Sequence, residues 1–175
     1  MTYRNSDSQV FGYDEKGYRA GEDPSVTYSM SRRNMDYDGH DMTAFYEEGT
    51  NEQEKTYAYY RSEIVTDADS NTLSYKETGA LDGERYEYTR SAMTYDSNKR
   101  LSYFRDAGFD SRGVQYAFER TFLDYSGNNA LSYTEAGARN ITELHALGKA
   151  YSLKRTSMTY DSKNRLTYFE EEGTD

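Results

Sequence analysis

The chain has no cysteine, one proline and two histidines in 175 residues. Without cysteine there is no disulfide framework, no thiolate metal site and no cysteine nucleophile. That lack says little about compartment, which stays open. Leu, Ile, Val and Phe together supply only 22 residues, and no apolar run approaches the roughly 20 residues a membrane helix needs. The opening Met1-Thr2-Tyr3-Arg4-Asn5-Ser6 has no apolar stretch of the signal-peptide kind. Clustered basic residues are scarce and the net charge is −10. Nucleic acid and anionic membranes are therefore not expected partners, because phosphate binding needs grouped Lys and Arg. No Gly-rich phosphate loop and no nucleophile elbow occurs. His40 sits in a turn, Tyr37-Asp38-Gly39-His40-Asp41, and His145 on a short predicted helix; both read as solvated. Carboxylates are many, but catalytic groups are normally unique in a chain, and here the notable polar residues recur. We expect no enzyme and no cofactor.

Few aliphatic residues and a high net charge, taken alone, describe a disordered chain. Twenty tyrosines argue the other way, because they fall at fixed positions. Tyr favours strands and supplies large buried area, while its hydroxyl needs a partner. A core built on Tyr should be thin, with ring edges near water.

Those fixed positions belong to an internal repeat. Anchors Met35, Ile64, Met93, Leu123 and Met158 each follow an arginine by three residues: Arg32, Arg61, Arg90, Arg120 and Arg155. After a polar loop each copy restarts at Met42, Leu73, Leu101, Leu131 or Leu166. It then passes Glu47, Glu77, Glu135 or Glu171, with Asp106 standing in for the third acid, and closes on Gly49, Gly79, Gly108, Gly137 or Gly173. Such a period marks a repeat architecture. In the third copy, Tyr86, Tyr88 and Arg90 alternate as in a strand, but Met93 and Tyr95 have the opposite parity. A β-bulge after each Arg, or a break between short strands, explains the step; a sheet buried on both faces is the alternative. Asn98, Asn128-Asn129, Asn164, Gly39 and Gly127 are expected to take positive φ in the turns. The closing glycines are expected to free the backbone for the link to the next copy.

The fold expected is all-β: an array of about five β-hairpin repeats, period near 30 residues, forming a twisted sheet or spiral. The units span approximately 25–53, 54–83, 84–113, 114–148 and 149–175. Residues 1–24 form a degenerate repeat or cap around Phe11-Gly12-Tyr13-Asp14, with Pro24 at its boundary. A short helix is predicted over 141–147, with Asn140 as N-cap, Glu143 three residues on, and Ile141, Leu144 and Leu147 on one face.

Two sets of residues are candidate sites. The first is the ladder of Arg32, Arg61, Arg90, Arg120 and Arg155 with Tyr75, Tyr103, Tyr133 and Tyr168. It serves either as a structural column, with guanidinium groups on ring faces or paired to the repeat Glu, or as an exposed contact strip. The second is a weak calcium candidate, Asp67, Asp69 and Asn71. It begins like an EF-hand loop but has Thr72 where that loop needs Gly.

The segments Tyr95-Asp96-Ser97-Asn98-Lys99-Arg100-Leu101 and Tyr160-Asp161-Ser162-Lys163-Asn164-Arg165-Leu166 resemble the YD repeat of the RHS family. That motif reads Tyr-Asp, two residues, Gly-Arg-Leu, then a later Gly; Lys99 and Asn164 stand where it has the first Gly. The similarity touches about a third of the chain. It implies β-hairpin units spiralling into a sheet that encases or displays something else, with five units too few to close a shell. No activity follows from it. The function expected is a structural or assembly role, as scaffold, linker or surface component. The partner is another protein or a second copy. A carbohydrate- or ligand-binding module is the alternative, with a glycan stacked on exposed tyrosines such as Tyr103 and Tyr133.

Overall fold

A computed structural model describes residues 9–17, 28–51, 55–127, 129–140, 148–161 and 166–174 of the chain. The predicted helix at 141–147 and the boundary at Pro24 lie outside the described residues, as do Asn128 and Asn164. The elements are all strands: β1 (Tyr13–Gly17), β2 (Tyr28–Asp38), β3 (Asp41–Thr50), β4 (Thr56–Thr66), β5 (Thr72–Leu81), β6 (Glu84–Tyr95), β7 (Leu101–Phe109), β8 (Gln115–Ser126), β9 (Asn129–Arg139), β10 (Lys149–Tyr160) and β11 (Leu166–Thr174). They form one open antiparallel sheet in sequence order. The chain divides into two compact units, Met1–Glu87 and Tyr88–Asp175. Even-numbered strands from β2 to β10 carry the ladder arginines, and odd-numbered strands from β3 to β11 carry the acids.

The parity step after each arginine is a bulge. Between Arg33 and Asp36 on β2, three steps face two on β3 (Arg33↔Tyr46, then Asp36↔Ala44). The same shift separates Ser62 from Val65 and Thr156 from Thr159. The residue two after the arginine turns left-handed: Asn34, Glu63, Ala92 and Ser157, with φ of 52, 53, 52 and 55°. One extra residue restores the alternation, so Met35 returns to the face of Arg32 and Phe45. Met35, Met93 and Met158 are buried there.

Strand β8 departs from this, and the expectation for Leu123 is corrected. Its bulge falls between Phe122 and Asp124, without a positive φ. A bulky aromatic residue at the second position resists the left-handed conformation. Phe122 therefore stays on the ring face, its ring 6.1 Å from Phe104 and 6.0 Å from Tyr133. Leu123 is pushed outward and is 52% exposed.

Turns close by an Asp device. Asp67 Oδ1 accepts the amides of Asp69 and Asn71, Asp96 Oδ1 those of Asn98 and Arg100, and Asp110 Oδ1 those of Arg112 and Val114. The left-handed residue is the fourth of each turn: Ser70, Lys99 and Gly113. The expectation for Asn98 thus moves one residue on, because Asn98 donates its amide to Asp96 and Lys99 makes the reversal. Gly39 and Gly127 do take positive φ, and Asp82-Gly83 takes it at both central positions between β5 and β6, as a two-residue hairpin turn requires.

The closing glycines are also corrected. Gly49, Gly79, Gly137 and Gly173 have no positive φ. They sit inside the strands where a carbonyl and a side chain of neighbouring strands leave no room for a Cβ: the atoms nearest to one would be the carbonyl oxygens of Ser29, Ala58, Ala117 and Ser152, all within 2.7 Å. A Cβ on Gly79 would come within 2.7 Å of Tyr59 Cβ and 2.8 Å of the Tyr86 hydroxyl. On Gly137 it would meet Phe118. These positions need the absence of a side chain rather than conformational freedom.

Apart from Ala44, burial follows one face of the sheet. Phe45, Tyr75, Phe104 and Tyr133 are buried, and so are the acids Glu47, Glu77, Asp106 and Glu135. No large side chain among the described residues is completely sealed from water, in keeping with a thin core.

Candidate functional site

Pairing in the sheet places each arginine beside an acid. Arg32 lies opposite Glu47, Arg61 opposite Glu77, Arg120 opposite Glu135 and Arg155 opposite Glu171. Nε and Nη2 of Arg32 donate to Glu47 Oε2 at 2.8 and 2.5 Å; Arg61 does the same to Glu77 at 2.9 and 2.5 Å, and Arg155 to Glu171 at 3.0 and 2.5 Å. Arg120 binds Glu135 in the same way. The shorter Asp106 takes Arg90 with both oxygens, at 2.8 and 2.7 Å. It occupies the position of the acid in its strand.

Each guanidinium also rests on an aromatic ring two residues before its acid, on the same face. The distances from the guanidinium carbon to the ring centroid are 4.2 Å for Arg32 on Phe45, 4.0 Å for Arg61 on Tyr75 and 4.0 Å for Arg90 on Phe104. They are 4.3 Å for Arg120 on Tyr133 and 4.0 Å for Arg155 on Phe169. Planar guanidinium over a ring, with its edge donating to a carboxylate, satisfies a half-buried charge without water.

The other carboxylate oxygen takes tyrosine hydroxyls from the following strand. Tyr57 and Tyr59 donate to Glu47 Oε1 at 3.4 and 2.8 Å, Tyr86 to Glu77 Oε1 at 3.0 Å, and Tyr151 to Glu135 Oε1 at 2.7 Å; Tyr28 donates in the same way to Glu15 on β1, which no ladder arginine binds. Burial, then the neighbouring Glu47 and Glu135 charges and hydrogen bonds, push the Tyr57 and Tyr151 phenols up to about 12. Tyr59 and Tyr86 are pushed up as well, first by burial and then by Glu47 and Glu77.

The predicted tyrosine column is divided by this geometry. Tyr75 and Tyr133 are stacking rings and are buried, so Tyr133 offers no exposed platform to a sugar. Tyr103 and Tyr168 fall three residues before their acids and point to the opposite face. Tyr103 donates to Glu119, and Tyr168, 51% exposed, to Glu170. Their places in the ladder belong to Phe104 and Phe169. The cause is a counting origin: five residues before the acids stand Met42, Thr72, Leu101, Ala130 and Leu166, so Leu73 and Leu131 are one residue out of line with the other restarts. Counting back from the acid recovers the rings.

Two tyrosine roles escaped the sequence reading. Tyr28, Tyr57, Tyr86, Tyr116 and Tyr151 all stand four residues before a ladder arginine, and that Tyr-x-x-x-Arg spacing was a visible signal. Tyr37, Tyr125 and Tyr160, five residues after an arginine, donate to the carbonyls of Val10, just before β1, and of Leu101 and Ala130 in the preceding hairpins. They stitch one hairpin to the one before it.

The calcium candidate is organised as a turn. Asp67 accepts two amides on Oδ1, and the Asn71 side-chain amide on Oδ2 at 2.9 Å. Among the described residues no group of three or more His, Asp or Glu is placed to hold a metal ion. No helix among them is long and apolar enough to cross a membrane. No protein-family model, no curated protein and no solved structure matches the chain.

Proposed function

We propose that the chain is a structural assembly protein: five hairpin repeats of about 30 residues, without catalytic activity, which join other proteins through the strands of the sheet. The observation that carries this reading is the ladder. The same arginine–acid–ring unit occurs on five strand pairs, and its charged groups bind one another. Side chains used this way specify register and hold neighbours together. They are not poised for proton transfer or nucleophilic attack. The tyrosine stitches between hairpins add the nearest-neighbour coupling on which a stacked array depends. The likeness to YD repeats agrees, since the position of that motif's turn Gly is Lys99, with φ of 61°.

Open sheet margins remain for contact. Among the described strands, β1 and β11 each have a single neighbour in the sheet, and an unpaired strand edge is a template for another strand. The test is light scattering on size-exclusion eluate over a wide concentration range, with hydrogen exchange on the same samples. Mass that grows with concentration means the margins pair between copies; constant mass with fast-exchanging margins means the partner is a different protein. A monomer whose β1 and β11 amides are protected as strongly as those of β4 and β9 has no free margin, and the reading fails.

A further inference from the structure

Strand β11 is a ladder strand with one flank that no described strand covers. At internal junctions the ring before the acid lies opposite the arginine of the next strand: Phe45 opposite Arg61, Phe104 opposite Arg120, Tyr133 opposite Arg155. That second guanidinium stands 5.5, 5.6 and 5.4 Å from the ring, so each ring lies between two. The tyrosine four residues before the second arginine donates to Oε1 of the acid, as Tyr57 does to Glu47 and Tyr151 to Glu135. On β11, Phe169 stacks on Arg155, and Glu171 receives Arg155 on Oε2. Oε1 of Glu171 accepts nothing from a described residue. The cost of the uncovered flank is visible in exposure: 41% for Phe169 against 2% for Phe104 and 3% for Phe45. For the acid side chains it is 38% at Glu171 against 5–7% at Glu47, Glu77, Asp106 and Glu135.

We propose that the free edge of β11 docks an extended segment of another protein carrying Tyr-x-x-x-Arg, added antiparallel, its arginine over Phe169 and its tyrosine donating to Glu171 Oε1. The inference rests on the assembly reading above and names the partner's chemistry. Main-chain bonds of the added strand supply affinity, and the two side chains set the register. A second copy does not present such a strand. Its arginine strands β2, β4, β6, β8 and β10 each already have two neighbours, and its margins are β1 and β11. Pairing β11 with β11 of a second copy would bring Glu170, Glu171 and Glu172 of both chains together, and like charges across strands repel.

The probe is a fluorescein-labelled peptide with the sequence of residues 84–95, which contains Tyr86 and Arg90. Titration with the full chain, read by anisotropy, is expected to saturate, with new hydrogen-exchange protection on β11 and none on β1. An Arg90→Glu peptide, and separately a Phe169→Lys chain, should each bind about tenfold more weakly or less. Glu171→Gln serves as a second chain variant if Phe169→Lys disturbs the circular dichroism of the fold, and it too should weaken binding. Absence of saturable binding, equal binding of the Arg90→Glu peptide, or protection on β1 in place of β11 each overturns the proposal. A chain that associates with itself yet ignores the peptide keeps the assembly reading and removes this partner.

Discussion

Arg61 and Arg155 make the same bonds in different surroundings. Arg61 lies between the rings of Phe45 and Tyr75 and holds Glu77, whose side chain is 6% exposed. Arg155 also lies between two rings, Tyr133 and Phe169, and is itself no more exposed than Arg61, but the acid it holds, Glu171, is 38% exposed. Removing one member of a buried pair strands the other charge, which costs about 3–5 kcal/mol, whereas exposed pairs contribute about 0–1 kcal/mol. Arg61→Ala should therefore lower the denaturant midpoint strongly, by roughly 3 kcal/mol in stability, and Arg155→Ala by about 1 kcal/mol or less. Equal losses in chemical denaturation would mean that burial does not grade the ladder. The arginines were legible in the sequence because their spacing is regular and a guanidinium has few ways to be satisfied away from water. Phe45, Phe104 and Phe169 were less so: each stands beside a tyrosine, at 46, 103 and 168, and only the distance to the acid tells which ring shares its face.

Strands here are shaped by backbone exceptions as much as by side chains. The alternation of β6 predicted a bulge or a break after Arg90, and Ala92, two residues on, is held left-handed at φ 52°. An Ala held left-handed costs about 1–2 kcal/mol that Gly does not, less about 0.5–1 kcal/mol for the looser unfolded chain. Ala92→Gly should thus raise the melting temperature, by up to about 1 kcal/mol in stability. Gly137→Ala should do the reverse, by roughly 1–3 kcal/mol, because the new Cβ meets the Phe118 backbone and Cβ. A melt in which Gly137→Ala is neutral would show that the neighbouring strand yields easily. The two glycine functions look alike in a sequence. That is why the closing glycines were read as links: the crowding comes from Tyr59, Phe118 and Leu153 on paired strands, which a local reading does not bring together. The register of β8 was hidden for a similar reason, since Phe122 resembles an ordinary strand residue until its unwillingness to turn left-handed is weighed against its neighbours.

For the molecule as a whole, the phenols that bind the ladder acids make stability depend on alkaline pH. An unfolded tyrosine ionises near 10.0, while Tyr57 and Tyr151 are raised to about 12, first by burial and then by the adjacent carboxylates. Folding therefore favours the neutral phenol. A group whose folded pKa is raised contributes its stability in full below the unfolded value and loses it as pH climbs through the folded one. The window is pH 10 to 12, and after solvent screening each phenol contributes on the order of 1 kcal/mol. Lysines also discharge in that range and add to the repulsion of an acidic chain, so the wild-type curve alone is not diagnostic. Comparison with a Tyr57→Phe, Tyr151→Phe chain isolates the effect. That variant lacks two hydrogen bonds to Glu47 and Glu135 and starts less stable at neutral pH. It has no phenol to ionise at either position, so its melting temperature should fall less steeply through the window and approach the wild-type value near its upper end. Parallel curves from neutral pH upward would mean that these tyrosines ionise freely in the folded sheet, and that the acids do not depend on their hydroxyls.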